Sequence, residues 1–124
     1  MRDEKIILFA EPVGINSSEF YSSLEKKGYN TIIVKTLKET LLTLQSQRVD
    51  ALVLDSSLLV DDCDFISVIK GIEKDLPVIV CSEENTPELE SKIRHQGIFY
   101  YHLRSFGFQD LEMAVSNAVN GLTK

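Results

Sequence analysis

The chain has 124 residues and only two cysteines, Cys63 and Cys81. Two thiols so placed make neither a disulfide framework nor a metal-ligand cluster. Cys81 lies in an apolar run and reads as a buried, inert thiol rather than a reactive one. Nowhere is there an apolar run of the ~20 residues that a bilayer-spanning helix needs. The opening stretch MRDEKIILFAEPVG places acids ahead of a short apolar core and is not a secretory signal, so a cytoplasmic location with no membrane partner is expected. Runs of lysine and arginine are missing too. With 13 basic residues against 19 acidic ones and a net charge of −6, the chain repels phosphate backbones, which argues against direct nucleic-acid binding. Linkers, repeats and low-complexity segments are absent. So is a glycine-rich loop: AEPVGINSS holds a single glycine, and phosphate cradling of the dinucleotide-binding kind has no support.

What is present is an ordinary globular balance, 44% hydrophobic and 26% charged, which fits one domain spanning residues 1–124. Five short runs, Ile6–Phe9, Thr31–Val34, Ala51–Leu54, Val78–Cys81 and Ile98–Tyr101, are rich in β-branched or aromatic residues and too short for helices. Each reads as a strand. The first, third and fourth show no alternation, as expected of strands covered on both faces.

Helical spacing fills the intervals. Asn16 or Ser17 caps a first helix with Phe20 and Leu24 on its inner face and Gly28 as its stop. Thr36 and Glu39 have capping-box spacing, and Leu37, Leu41 and Leu44 follow as a buried stripe. Phe65, Val68, Ile69 and Ile72 mark a third helix, with Asp62 and Asp64 as its cap and first-turn acids. Thr86 and Pro87 start a fourth that ends near Gly97. Leu111, Val115, Ala118, Val119 and Leu122 mark a fifth. Strict alternation of strand and helix predicts an α/β fold: a doubly wound, five-stranded parallel sheet of order 2-1-3-4-5.

Ligands of such sheets bind beyond the carboxyl ends of the strands. There the sequence places Glu11, Asp55, Ser82 and Arg104, all expected to converge. Two carboxylates and a loop carbonyl suit a hard dication such as Mg2+. Asp55 can then attack phosphorus, while Ser82 and Arg104 contact phosphoryl oxygens.

In order and spacing, KIILFAEP, DALVLDSSLL, DLPVIVCS and GIFYYHLRSF resemble the first, third, fourth and fifth strand regions of response-regulator receiver domains, over nearly the whole chain. The resemblance implies a flavodoxin-like three-layer sandwich and a stand-alone signalling role. It implies Asp55 as phosphoacceptor and Mg2+ held by Glu11, Asp55 and the Ser57 backbone carbonyl. Ser82 and Arg104 become phosphate contacts, with Ser82 and Tyr101 as the switch pair. A histidine kinase or phosphotransfer protein and a downstream protein are the implied partners, and the helix 4–strand 5–helix 5 face the implied homodimer surface. Any enzyme activity is then at most self-phosphorylation and dephosphorylation at Asp55. The sequence departs from the family pattern where Ala10 replaces the first acid of an acidic pair, Arg104 replaces a lysine and Ser105 the proline after it. The loop after Asp55 also lacks the usual proline and glycine.

Each residue carries a plainer reading as well. Asp55 can be a vestige paired with Arg104, locking the strand ends. Glu11 can be a solvated acid before a turn proline, Ser82 a satisfied strand-end hydroxyl, and Tyr101 plain packing. His102 reads as an exposed edge-strand histidine rather than a catalytic one. Phe106 and Phe108 are either anchors of a partner face or core beneath the fifth helix. Three functions follow: a phosphorylated receiver, a phosphorylation-independent pseudo-receiver that docks other proteins, and, least supported, a small flavodoxin-like enzyme or carrier using Cys81 or a nucleotide.

Overall fold

Apolar β-branched runs form strands here because neighbouring strands satisfy their backbone while helices cover both faces. The computed structural model describes residues 4–12, 18–60, 64–83 and 86–121. Five strands, β1 (Ile6–Ala10), β2 (Asn30–Val34), β3 (Ala51–Asp55), β4 (Val78–Ser82) and β5 (Tyr100–Leu103), pair in parallel in the order β2-β1-β3-β4-β5. Between and after them lie α1 (Ser18–Lys26), α2 (Leu37–Ser46), α3 (Phe65–Ile72), α4 (Pro87–Arg94) and α5 (Phe108–Val119). Short 3-10 turns at Ser56–Leu59 and Arg104–Phe106 follow β3 and β5. This is the predicted flavodoxin-like order.

The sheet divides the core in two. Leu8, Leu52, Leu54, Val78 and Val80 face Leu44 of α2, Ile66 and Ile69 of α3 and Ile93 of α4. On the other face Ile7, Phe9, Val53, Ile79 and Cys81 meet Phe20 and Leu24 of α1 and Leu111 and Val115 of α5. Full burial of such side chains contributes about 1.5–3 kcal/mol each. β3 and β4 are buried along their whole length, as their unbroken apolar runs predict.

Local chemistry sets the ends. Gly28, at φ +91°, closes α1 with its N–H on the Glu25 carbonyl. At α2 the Glu39 N–H donates to Thr36 Oγ1 at 3.1 Å, and the Glu39 carboxylate accepts from the Lys35 N–H at 2.9 Å. That hydrogen bond holds the Glu39 carboxyl below its usual range. At the opposite edge of the sheet the Ile6 N–H donates to Asp50 Oδ2 at 2.7 Å, which anchors β1 beside the start of β3.

Three expectations are corrected. Strand five begins at Tyr100, not Ile98, because the register pairs Tyr100 with Ile79. In α3, Ile66 takes the inner face with Phe65 and Ile69, whereas Val68 and Ile72 are exposed. Asp64 stands at the α3 cap position but makes no side-chain cap bond; the Gln96 side chain accepts from the Ser67 N–H at 3.0 Å and from its hydroxyl at 3.1 Å instead. The expected roles of Asn16, Ser17, Asp62, Cys63 and Leu122 lie outside the described residues. Among the described residues no helix is long and apolar enough to cross a membrane.

Candidate functional site

Topology brings the predicted residues to one edge. Asp55 ends β3 and is in register with Cys81, one residue before Ser82 ends β4. Ser82 in turn pairs with Leu103, which precedes Arg104. Glu11 follows β1, its N–H on the Val34 carbonyl at 3.0 Å. Asp55, Glu11 and Ser82 are all nearly buried.

The Asp55 carboxylate is already engaged. Arg104 Nη2 donates to its Oδ1 at 2.7 Å, and both side chains are close to fully covered, 11% exposed for Arg104 and 5% for Asp55. The Ser57 N–H donates to Oδ2 at 3.1 Å, and the Ser57 hydroxyl donates to the same oxygen. Asp55 thereby caps the 3-10 turn that follows it. At the rim, Glu83 Oε1 lies 4.0 Å from Arg104 Nε with its side chain 73% exposed. In a pair so screened from water desolvation offsets much of the attraction, but losing either partner leaves an uncompensated buried charge.

Glu11 is held as well: the Tyr21 hydroxyl donates to its Oε1. The solvated-acid reading of Glu11 is therefore corrected, since α1 covers it. An Mg2+ ion asks for carboxylate oxygens at about 2.0–2.1 Å in octahedral array. Asp55 offers at most one of its four lone-pair positions, beside a guanidinium, and Ser57 directs its N–H and hydroxyl to Asp55. Among the described residues no group of three His, Cys, Asp or Glu side chains could hold a metal. The residues as placed do not fit the ion.

The surroundings sort the remaining candidates. Burial pushes the Cys81 thiol up to about 12, with Arg104 pulling it down and Asp55 and Glu11 raising it further. All three charges thus act on the one thiol, which is buried as expected. His102 is a correction: it is 2% exposed, not an exposed edge residue, because α5 covers that face of β5. Burial holds its imidazole below the usual range, helped by Arg104 and opposed by Asp110 and a hydrogen bond with the Gly107 backbone. Tyr101 points inward, its hydroxyl buried with no partner among the described residues, and the Arg94 guanidinium lies 5.2 Å from its ring centroid. Phe106 and Phe108 are exposed, 65% and 41%, although Phe108 also stands 6.0 Å from the Phe20 ring.

Sequence reasoning missed Tyr21, the Ser57 hydroxyl and Glu83. The Asp55-Ser56-Ser57 run carried a readable signal, since Asp followed two residues later by a serine favours a side-chain-capped turn. Nothing in the α1 pattern marked Tyr21, which reads as one more aromatic on the inner face.

No protein-family model and no curated protein matches the sequence. Solved structures do. A response regulator from Thermotoga maritima superposes with a TM-score of 0.82 at 21% identity, covering 94% of this chain and 98% of that one. A CheY-like receiver domain protein from Methanospirillum hungatei gives 0.83 at 16% identity, with 96% of each chain covered. The signal receiver domain of an HD domain-containing protein from Pseudomonas fluorescens gives 0.84 at 18%, covering 96% and 97%. At such identities the likeness is one of fold, and the fold of this chain is that of response-regulator receiver domains.

Proposed function

We propose that this chain is a receiver-like, single-domain signalling protein of a two-component or phosphorelay pathway, working in the cytoplasm through protein–protein contacts and independently of phosphorylation. The observation that carries the reading is the buried Asp55–Arg104 pair at 2.7 Å, completed by Ser57. The carboxylate that would accept a phosphoryl group already has a cation and two further donors. Such a site favours one conformation, which partners recognise by docking. Phe106 and Phe108 supply exposed aromatic anchors for a downstream protein or a second copy at the α4–β5–α5 face.

A second reading keeps Asp55 as a phosphoacceptor supplied by a histidine kinase or phosphotransfer protein. It is favoured by the placement of Asp55, Ser82 and Arg104 at adjacent strand tips. In that reading Arg104 releases Oδ1 and, with Ser82, contacts the phosphoryl oxygens. A small enzyme or carrier using Cys81 has no support from a thiol pushed up to about 12.

Intact mass after incubation with Mg2+ and a small phosphodonor, beside an Asp55→Asn control, separates the two. No gain is expected. A phosphoryl-sized gain that needs Asp55 overturns the docking reading in favour of the phosphoacceptor.

A further inference from the structure

His102 is a buried ionisable side chain that the Asp55 site does not use. It lies in β5 in register with Cys81 of β4, 2% exposed, and its ring Nδ1 is buried with no partner among the described residues. Part of its cover is thin. The segment 105–110 reaches the ring through the hydrogen bond with the Gly107 backbone, yet every residue of that segment is exposed. Gly107, at φ +84°, joins the 3-10 turn to α5, and α5 starts there with no side-chain cap. Opening so exposed a segment costs far less than unfolding the chain.

The surroundings set a positive ring against a closed segment. Burial and the Arg104 guanidinium oppose an imidazolium, whereas Asp110, in the first turn of α5, favours it. From β4 the ring meets the Cys81 thiol, kept neutral by burial, and from β5 itself the Tyr100 ring, 6.3 Å away between centroids. Protonation puts an N–H on both ring nitrogens. At Nδ1 that donor finds no acceptor while the segment stays closed, and an unpaired buried donor loses its full hydration. We infer that His102 is a proton-operated latch: the neutral imidazole keeps residues 105–110 closed over the end of β5, and its protonation frees that segment with Phe106 and Phe108. The open form takes the proton near the ordinary 6.5 and the closed form only below it, so acid favours opening. The inference goes beyond the docking reading and does not need it, since it concerns how the two phenylalanines are presented, whatever meets them.

NMR of the full chain between pH 7 and about pH 4.5 tests it, following the His102 ring and the Phe106 and Phe108 amides. Ile69 in the core side of α3 serves as the fixed reference. A His95→Gln background removes the other, exposed imidazole. The two amides should move with the ring, at a midpoint below 6.5, while Ile69 stays still. Asp110→Asn should carry ring and amide midpoints to lower pH together, and His102→Gln should abolish the movement. Amides that stay still while the ring titrates overturn the inference, as does movement that survives His102→Gln. A ring that takes no proton, or takes it only as Ile69 moves too, also overturns it. Should His102→Gln not fold, Asp110→Asn decides: midpoints that shift together uphold the latch, and an unshifted amide midpoint overturns it. Phosphoryl uptake at Asp55 sinks the docking reading alone, and a segment that ignores the ring sinks this inference alone.

Discussion

The Arg94 guanidinium lies 5.2 Å from the centroid of the Tyr101 ring, on a side chain whose hydroxyl is buried without a partner among the described residues. The ring is thus held in the α4 side of the core by packing and by a cation on its face, while its polar end is left uncompensated. Tyr101→Phe keeps the ring and the cation contact and deletes only the stranded hydroxyl. It should stabilise the protein by about 1 kcal/mol in urea unfolding. A loss of similar size would show that the hydroxyl has a partner in solution.

Arg104→Ala should destabilise by about 3 kcal/mol, because it strands the Asp55 charge in a nearly dry site. Adding Asp55→Asn removes that charge and should recover a large part of the loss. The double-mutant cycle, again by urea unfolding, should give a coupling energy above about 1 kcal/mol. Simple additivity would mean the pair contributes nothing.

Acid should act in two stages. His102 has a folded pKa depressed below its ordinary 6.5 by burial, so the unfolded chain binds its proton first as pH falls. Its contribution is complete above about pH 6.5 and is lost as pH drops from there toward the folded value. Glu112, lowered chiefly by its hydrogen bond with Lys27, contributes above its ordinary 4.5 and loses that contribution only below it. Unfolding free energy measured between pH 7 and pH 5 should therefore slope downward in the wild type, and His102→Gln should flatten that segment alone.

Cys81 should resist thiol reagents in the native state. A thiol buried among Ile79, Val53 and α5, with its pKa near 12, presents neither thiolate nor access. In a Cys63→Ser background, colour from a disulfide reagent should appear only as denaturant unfolds the chain. Immediate reaction in buffer would contradict the burial.

The two exposed phenylalanines should separate. Phe106→Ser should leave stability within about 0.5 kcal/mol, since that ring touches little. Phe108→Ala should cost about 1 kcal/mol, since its ring meets Phe20. Parallel melting curves of the two variants check the difference.

Most of the fold was legible because local and global preferences agree. Short β-branched runs, the Thr36–Glu39 box and Pro87 at a helix start all point to alternating strands and helices. What failed was decided by tertiary contact. Ile98 and Phe99 are apolar enough to open a strand, yet the register with β4 begins at Tyr100, and of the two only the Phe99 N–H reaches across, to the Val78 carbonyl at 2.7 Å. The apolar residues of α3 cover more than one face, and spacing alone could not show that Ile66 rather than Val68 turns inward. His102 is polar on an edge strand, and only the placement of α5 buries it. At the site, Asp55 and Arg104 were found because strand tips follow from strand order. Tyr21 was not, because its contact with Glu11 depends on how α1 lies across the end of β1.

The Gln96 amide makes a mechanical link of what the chain order keeps apart. Its oxygen takes both the Ser67 N–H and hydroxyl, 29 residues away, just inside the start of α3. The end of α4 cannot lift from its neighbour without undoing two hydrogen bonds, although the Ser67 N–H keeps the Asp64 carbonyl at 3.0 Å. A pull on one helix is therefore felt at the root of the other, and a protein that grips either one holds both.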